Sequence, residues 1–158
     1  MTFPSLALDD PRVVVALRTW GAPYGWAKGD PSTADDPGSE RDDADCGGHA
    51  QEVLVRAGLL HPEQPDRSAR GLADICELVT DARPFDLYFY GTRDAAGKVR
   101  AITHVGVCVG PGAVLTASGG GSATHGDNPR AYVHLQRADY RGDLLFIGRV
   151  KMALREAP

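Results

Sequence analysis

Apolar positions along this chain change period near its middle. In the first half they recur at helical spacing. Asp10-Pro11 offers a capping carboxylate followed by a proline at the first helical position. Val13, Val14, Leu17 and Trp20 then follow a helical repeat, and Gly21 closes it. Asp45 reads as the N-cap of a second helix over 46–57, with Ala50, Val53, Leu54 and Ala57 as its apolar stripe and Gly58 as its stop. A third helix is expected after Ser68, with Leu72, Ile75, Cys76 and Val79 on one face. From there the period falls to that of strands: 85–90, 104–109, 113–117, 131–135 and 144–150, divided by Gly, Pro and Asp. Helices first and antiparallel strands afterwards predict an α+β domain, its N-terminal helices packed on an antiparallel sheet of about five strands.

The 158 residues suffice for one hydrophobic core, and no internal repeat or second domain interrupts them, so a single domain over 1–158 is expected. A long segment, 27–44, is rich in Asp, Pro, Gly and Ser and has no calcium-loop spacing. It reads as a solvated insertion. The net charge of −4 and the absence of a lysine-arginine block argue against nucleic acid as a partner. No apolar run approaches the roughly 20 residues that span a bilayer, so membrane insertion is not expected. Met1 to Asp10 lack the basic start and apolar stretch of a secretory leader, which predicts synthesis and residence in a cytoplasm unless another route releases the protein. Three cysteines, Cys46, Cys76 and Cys108, are an odd number and do not suggest a disulfide framework.

Two of the remaining features carry chemistry. Cys46 stands in the first turn of the second helix, where unpaired backbone N–H groups and the helix dipole favour a thiolate. His104 opens the strand His-Val-Gly-Val-Cys-Val. Side chains alternate along a strand, so His104, Gly106 and Cys108 share one face while Val105, Val107 and Val109 share the other. The valine face is the candidate core and the histidine face a candidate site wall. If Gly110-Pro111-Gly112 turns the chain so that Val109 pairs with Ala113, Gly106 lies opposite Thr116. Thr116 then stands diagonal to His104 on the same face, where it can hold the distal imidazole nitrogen.

Longer motifs resemble one family. The segment Gly21-Ala-Pro-Tyr24-Gly-Trp26, then Asp45-Cys46-Gly47-Gly48 heading a helix, resembles the opening of the NlpC-type cell-wall peptidases. Ala82-Arg-Pro-Phe-Asp86-Leu-Tyr-Phe is similar to that family's Pro-Gly-Asp-Leu-Val-Phe strand, and His104-Val-Gly-Val-Cys-Val-Gly to its His-Val-Gly-Ile-Tyr-Val-Gly strand. The resemblance implies a papain-like fold and hydrolysis of amide bonds in peptidoglycan stem peptides, usually between γ-D-glutamate and a diamino acid. It assigns Cys46 as nucleophile, His104 as general base, Thr116 as the third catalytic position, and Tyr24 as a hydroxyl that helps the Cys46 N–H bind the oxyanion. Trp26, Asp45, Gly47 and Ser118 are expected to meet the substrate. No cofactor is implied. Gly58-Leu-Leu-His-Pro, Asp66-Arg-Ser-Ala-Arg-Gly-Leu and Ala117-Ser-Gly-Gly-Gly-Ser resemble members encoded in phage tail gene clusters, which implies incorporation into a tail and tail-tip proteins as partners.

Departures from the family pattern set the alternatives. Thr116 stands where the family usually has histidine, Gly47 where it has serine, Phe85 where it has glycine, and His49 where it has an apolar residue. His125 and His134 are reserve orienting groups without the matching spacing. A catalytically weak or inactive structural tail-tip subunit is therefore the second reading, and amide or acyl chemistry on an intracellular small molecule the third. A zinc site built from Cys46, His49, His104 and Cys108 is disfavoured, because His104 and Cys108 stand about 13–14 Å apart along a strand, too far for one ion, and a metal assay tests it. The Gly119-Gly120-Gly121-Ser122 run lacks the lysine and following helix of a phosphate loop.

Overall fold

The computed structural model describes residues 4–22, 45–118 and 132–158. Its elements run α1 (Pro11–Leu17), α2 (Cys46–Arg56), α3 (Ala69–Asp74), β1 (Cys76–Val79), β2 (Leu87–Arg93), β3 (Val99–Gly110), β4 (Ala113–Ser118), β5 (Tyr132–Arg137), β6 (Leu144–Val150) and a closing 3-10 turn, Met152–Arg155. The caps are those the sequence predicts. Asp10 accepts the Arg12 N–H at 2.9 Å, Asp45 the Gly48 N–H at 2.6 Å and Ser68 the Gly71 N–H at 3.2 Å. Gly58, with φ at +72°, takes the left-handed conformation that stops α2.

The strands form one six-stranded sheet in the order β1-β6-β2-β3-β4-β5, every pair antiparallel. The α+β class holds, with one strand more than expected. That strand is β1, where the sequence predicts the third helix to continue. The helix ends at Asp74, and Cys76–Val79 pairs with the end of β6, Cys76 opposite Val150 and Val79 opposite Ile147. A six-residue helix holds few hydrogen bonds, and β-sheet pairing open to a run such as Ile-Cys-Glu-Leu-Val outweighs its continuation. Cys76 is accordingly a strand residue rather than a helix-face thiol. The first helix is also shorter than its spacing suggests. Val13 and Ala16 are buried, whereas Val14 and Trp20 are exposed.

Helices cover one face of the sheet. Val13, Ala50, Val53, Leu54 and Leu72 pack there on Leu87, Phe89, Val105, Val107, Val109 and Leu115. Burial of each such side chain is worth roughly 1.5–3 kcal/mol. The other face carries a second, aromatic cluster of Tyr88, Tyr90, Cys108 and Val114, against which Ala138 and Tyr140 pack. Cys108 is thus covered by the turn after β5. Topology explains the cover. β5 lies at one edge and β6 beside β2, so the 138–143 connection must pass back over the sheet, and the helices occupy the opposite side.

Phe85 precedes β2 instead of opening it. Its φ is +74°, the one positive value at a non-glycine position among the described residues. An L-residue pays about 1–2 kcal/mol for that conformation.

Candidate active site

Three segments build the site. The N-cap bond of Asp45 starts α2 so that Cys46 occupies the first turn, partly buried. Beside it, β3 carries His104 next to a bulge: Tyr90 pairs with His104 but Gly91 pairs with Ile102, which leaves Thr103 extra on β3. Such an insertion re-aims the neighbouring side chain. On β4, Cys108 pairs with Val114 and Val107 with Leu115, the register from which the sequence places Gly106 opposite Thr116. Gly106 makes that packing fit, because a β-carbon there would meet Val114 Cγ1 and lie 3.1 Å from Thr116 Cβ.

Thr116, fully buried, puts Oγ1 2.9 Å from His104 Nε2 and donates its own proton to the Val105 carbonyl at 2.8 Å. Donor accounting then fixes the imidazole. Threonine has one hydroxyl proton, committed to Val105, so Oγ1 must accept from Nε2–H, and the lone pair resides on Nδ1. That is the tautomer a general base needs toward a thiol. A second group meets the same nitrogen: the Tyr140 hydroxyl lies 2.9 Å from His104 Nε2. The Tyr140 oxygen is in turn approached by the Ser118 hydroxyl and the Arg141 guanidinium. Arg141 is paired bidentately with Asp143 at 2.8 and 2.7 Å, and Tyr90 bonds the Ala138 carbonyl at 2.8 Å, so the crossing turn is fixed from both ends.

Burial weighs against charge on both candidate groups. Burial, and then the Asp45 carboxylate, push the Cys46 thiol up to about 11. The N–H groups of Val105, Gly47 and Cys46 itself pull the other way, as a helix N-terminus should, but do not prevail. Burial lowers His104 to about 4, reinforced by Arg141 and partly offset by Asp143. Burial thus opposes the thiolate that the start of a helix favours. The backbone settings of Cys46 and His104 adjoin, since the N–H group that favours ionised Cys46 belongs to Val105, the residue after His104.

Of the residues singled out from sequence, Cys46, Asp45, Gly47, His104, Thr116 and Ser118 gather here. Tyr24, Trp26 and His125 lie outside the described residues. His134 pairs opposite Thr116 on β5 but stacks on Tyr132, with ring centroids 3.6 Å apart. Gly47 is buried against the neighbouring loop, and a β-carbon on it would come 2.7 Å from the Arg67 carbonyl oxygen. Serine is excluded there by packing. Tyr140 was missed by the sequence reading. The signal available was topological: only the strand order shows that the Asp-Tyr-Arg-Gly-Asp turn crosses above His104.

No family model matches the chain. It is 29% identical over 136 residues, 86% of its length, to the bifunctional muramidase/DL-endopeptidase CwlT of Bacillus subtilis, and it spans about a third (35%) of that curated relative. Among solved structures, the peptidoglycan hydrolase RipB of Mycobacterium tuberculosis matches over 89% of this chain and 66% of its own, with TM-score 0.56 and 26% identity. RipD of Mycobacterium tuberculosis, described as a non-catalytic NlpC/p60 domain protein adapted to peptidoglycan binding, shares the fold over 89% of this chain and 96% of its own, with TM-score 0.61 and 24% identity. The chain thus shares the papain-like α+β fold of NlpC/P60 domains and is similar in sequence, over most of its length, to peptidoglycan hydrolases that carry it.

Proposed function

We propose that the chain is a cysteine endopeptidase that hydrolyses amide bonds of peptidoglycan stem peptides, at the bond between γ-D-glutamate and a diamino acid. The observation that carries this reading is the fixed tautomer of His104, whose Nε2–H is engaged by Thr116 and Tyr140 beside a thiol at a helix start. Cys46 Sγ attacks the carbonyl carbon as its proton passes to His104 Nδ1. The imidazolium so formed is stabilised through Nε2–H by the two hydroxyl oxygens, and it returns the proton to the departing amine. Water then cleaves the acyl-enzyme. Tyr24, with the Cys46 N–H, is assigned to the oxyanion, and Asp45, Trp26, Gly47 and Ser118 to the substrate side.

The test is digestion of purified peptidoglycan by the wild type and by Cys46→Ala, with mass spectrometry of the fragments. New amine and carboxyl ends at the γ-D-glutamyl bond, absent with Cys46→Ala, are expected.

A non-catalytic wall-binding or structural role is the second reading. The raised thiol pKa favours it, as does the fold shared with RipD. It predicts equal and negligible digestion by both proteins together with retained sedimentation on the wall. A tail-tip location, with tail proteins as partners, is proposed from the sequence resemblance alone. Its test is detection of the chain in purified tailed particles.

A further inference from the structure

A second concave site lies away from Cys46. Leu54, in the last turns of α2, and Leu59, just beyond its end, mark its position. Leu54 is eight residues on from Cys46, about 12 Å along the helix axis. The cavity measures about 350 Å³ and is edged by four arginines, Arg12, Arg83, Arg149 and Arg155, against two aspartates, Asp10 and Asp86. Two positive charges are therefore in excess there, on a chain whose net charge is −4.

The arginines fall into two kinds. Asp86, 2% exposed, grips Arg149 bidentately at 2.8 and 2.7 Å, and Asp10 grips Arg12 at 3.0 and 2.7 Å. These two guanidinium groups are aimed in advance. Arg83 and Arg155 have no side-chain carboxylate partner among the described residues. They supply the uncompensated charge.

Phe85 underlies one of the oriented arginines. It is the residue with left-handed backbone, it is 2% exposed, and the Arg12 guanidinium lies 4.9 Å from its ring centroid. Glycine would take this backbone without strain, so an aromatic ring here costs the fold something that must be recovered elsewhere. Strain of that kind concentrates at ligand sites. Oriented and free guanidinium groups around one cavity suit an oxyanion, because arginine forks match carboxylate and phosphate oxygens.

We infer that this pocket binds a small ligand bearing a carboxylate or phosphate, held by Arg83 and Arg155 beside the oriented Arg12 and Arg149. Binding there is independent of Cys46 chemistry.

Phenyl phosphate, inorganic phosphate and benzoate are the probes, titrated into the full chain and followed by amide NMR shifts. Saturable shifts confined to 54–59, 83–86, 149–150 and 155 are expected. The double variant Arg83→Gln/Arg155→Gln should raise Kd about tenfold or more, as loss of charge-assisted bonds does. Cys46→Ala should bind as the wild type does. A stronger phosphate series assigns a phosphate ligand, and stronger benzoate a carboxylate. Shifts that do not saturate, that spread equally to Arg137 and Arg141, or that survive the double variant would overturn the site.

Discussion

His104 and His49 invite comparison, because local structure treats them alike. Each is buried, 5% and 1% exposed. Each offers Nε2 to a threonine hydroxyl, Thr116 at 2.9 Å and Thr19 at 2.8 Å, and each threonine gives its proton to a backbone carbonyl, Val105 or Ala16. Both therefore hold the same tautomer, and burial lowers both to about 4. What differs is the other nitrogen and the company. His49 Nδ1 is buried between α1 and α2 without a hydrogen-bond partner among the described residues. His104 has Tyr140 as a second partner and stands next to the strand residue whose N–H favours ionised Cys46. A threonine-to-carbonyl relay is thus a general way to store a histidine. Chemistry requires that the free nitrogen face something that reacts.

The sharpest break between the two is substitution. His104→Gln keeps an amide for Thr116 but removes the base, so wall digestion should fall roughly 10²–10⁴-fold, the usual worth of general acid–base catalysis. His49→Leu removes an orphaned nitrogen from the interior, and it should leave digestion unchanged while raising stability by about 1 kcal/mol in urea unfolding. Equal loss of activity in both variants would show that His49 takes part and that the contrast is mistaken.

A smaller effect separates the partners of Nε2. Thr116→Val removes the acceptor that sets the tautomer, yet the Tyr140 oxygen remains within reach. A fall in kcat/KM of about tenfold is expected for Thr116→Val and somewhat less for Tyr140→Phe. The double variant should lose more than the product of the two, because each hydroxyl covers for the other. Strict additivity in the double-mutant cycle would mean that they act separately.

Much of this site was legible in the sequence, for reasons that can be named. Asp45 and Ser68 marked helix starts through cap chemistry that is local, and the valine alternation of β3 fixed which way His104 faces. The Thr116 placement followed from hairpin register, again a short-range matter. Three features were hidden because they depend on chain segments far apart. Tyr140 reaches His104 only because the β5–β6 connection crosses the sheet. Gly47 looked like a lost serine, but the Arg67–Ser68 backbone leaves no room for a side chain. The low basicity of His104 and the high pKa of Cys46 come from burial, which no spacing of residues discloses.

The smallest expected effect is also the one that reads both histidines in a single experiment. Each has an ordinary value of 6.5 and a folded value of about 4. Between those pH values the unfolded chain binds a proton at each histidine that the folded chain does not. Stability from this source is complete above about pH 6.5 and is lost as pH falls toward 4, at up to about 1.4 kcal/mol per pH unit for each histidine. Asp10 and Asp143 are held below the ordinary carboxylate value by their arginine partners, so they act only at lower pH. His49→Leu should therefore halve the slope of unfolding free energy between pH 4.5 and 6, as roughly one of two protons is removed. The same variant should leave the acid limb of kcat/KM near pH 4, because that limb reports His104 alone. An acid limb that moves with His49→Leu, or one already near pH 6.5 in the wild type, would mean that His104 is not the buried neutral base its surroundings make it.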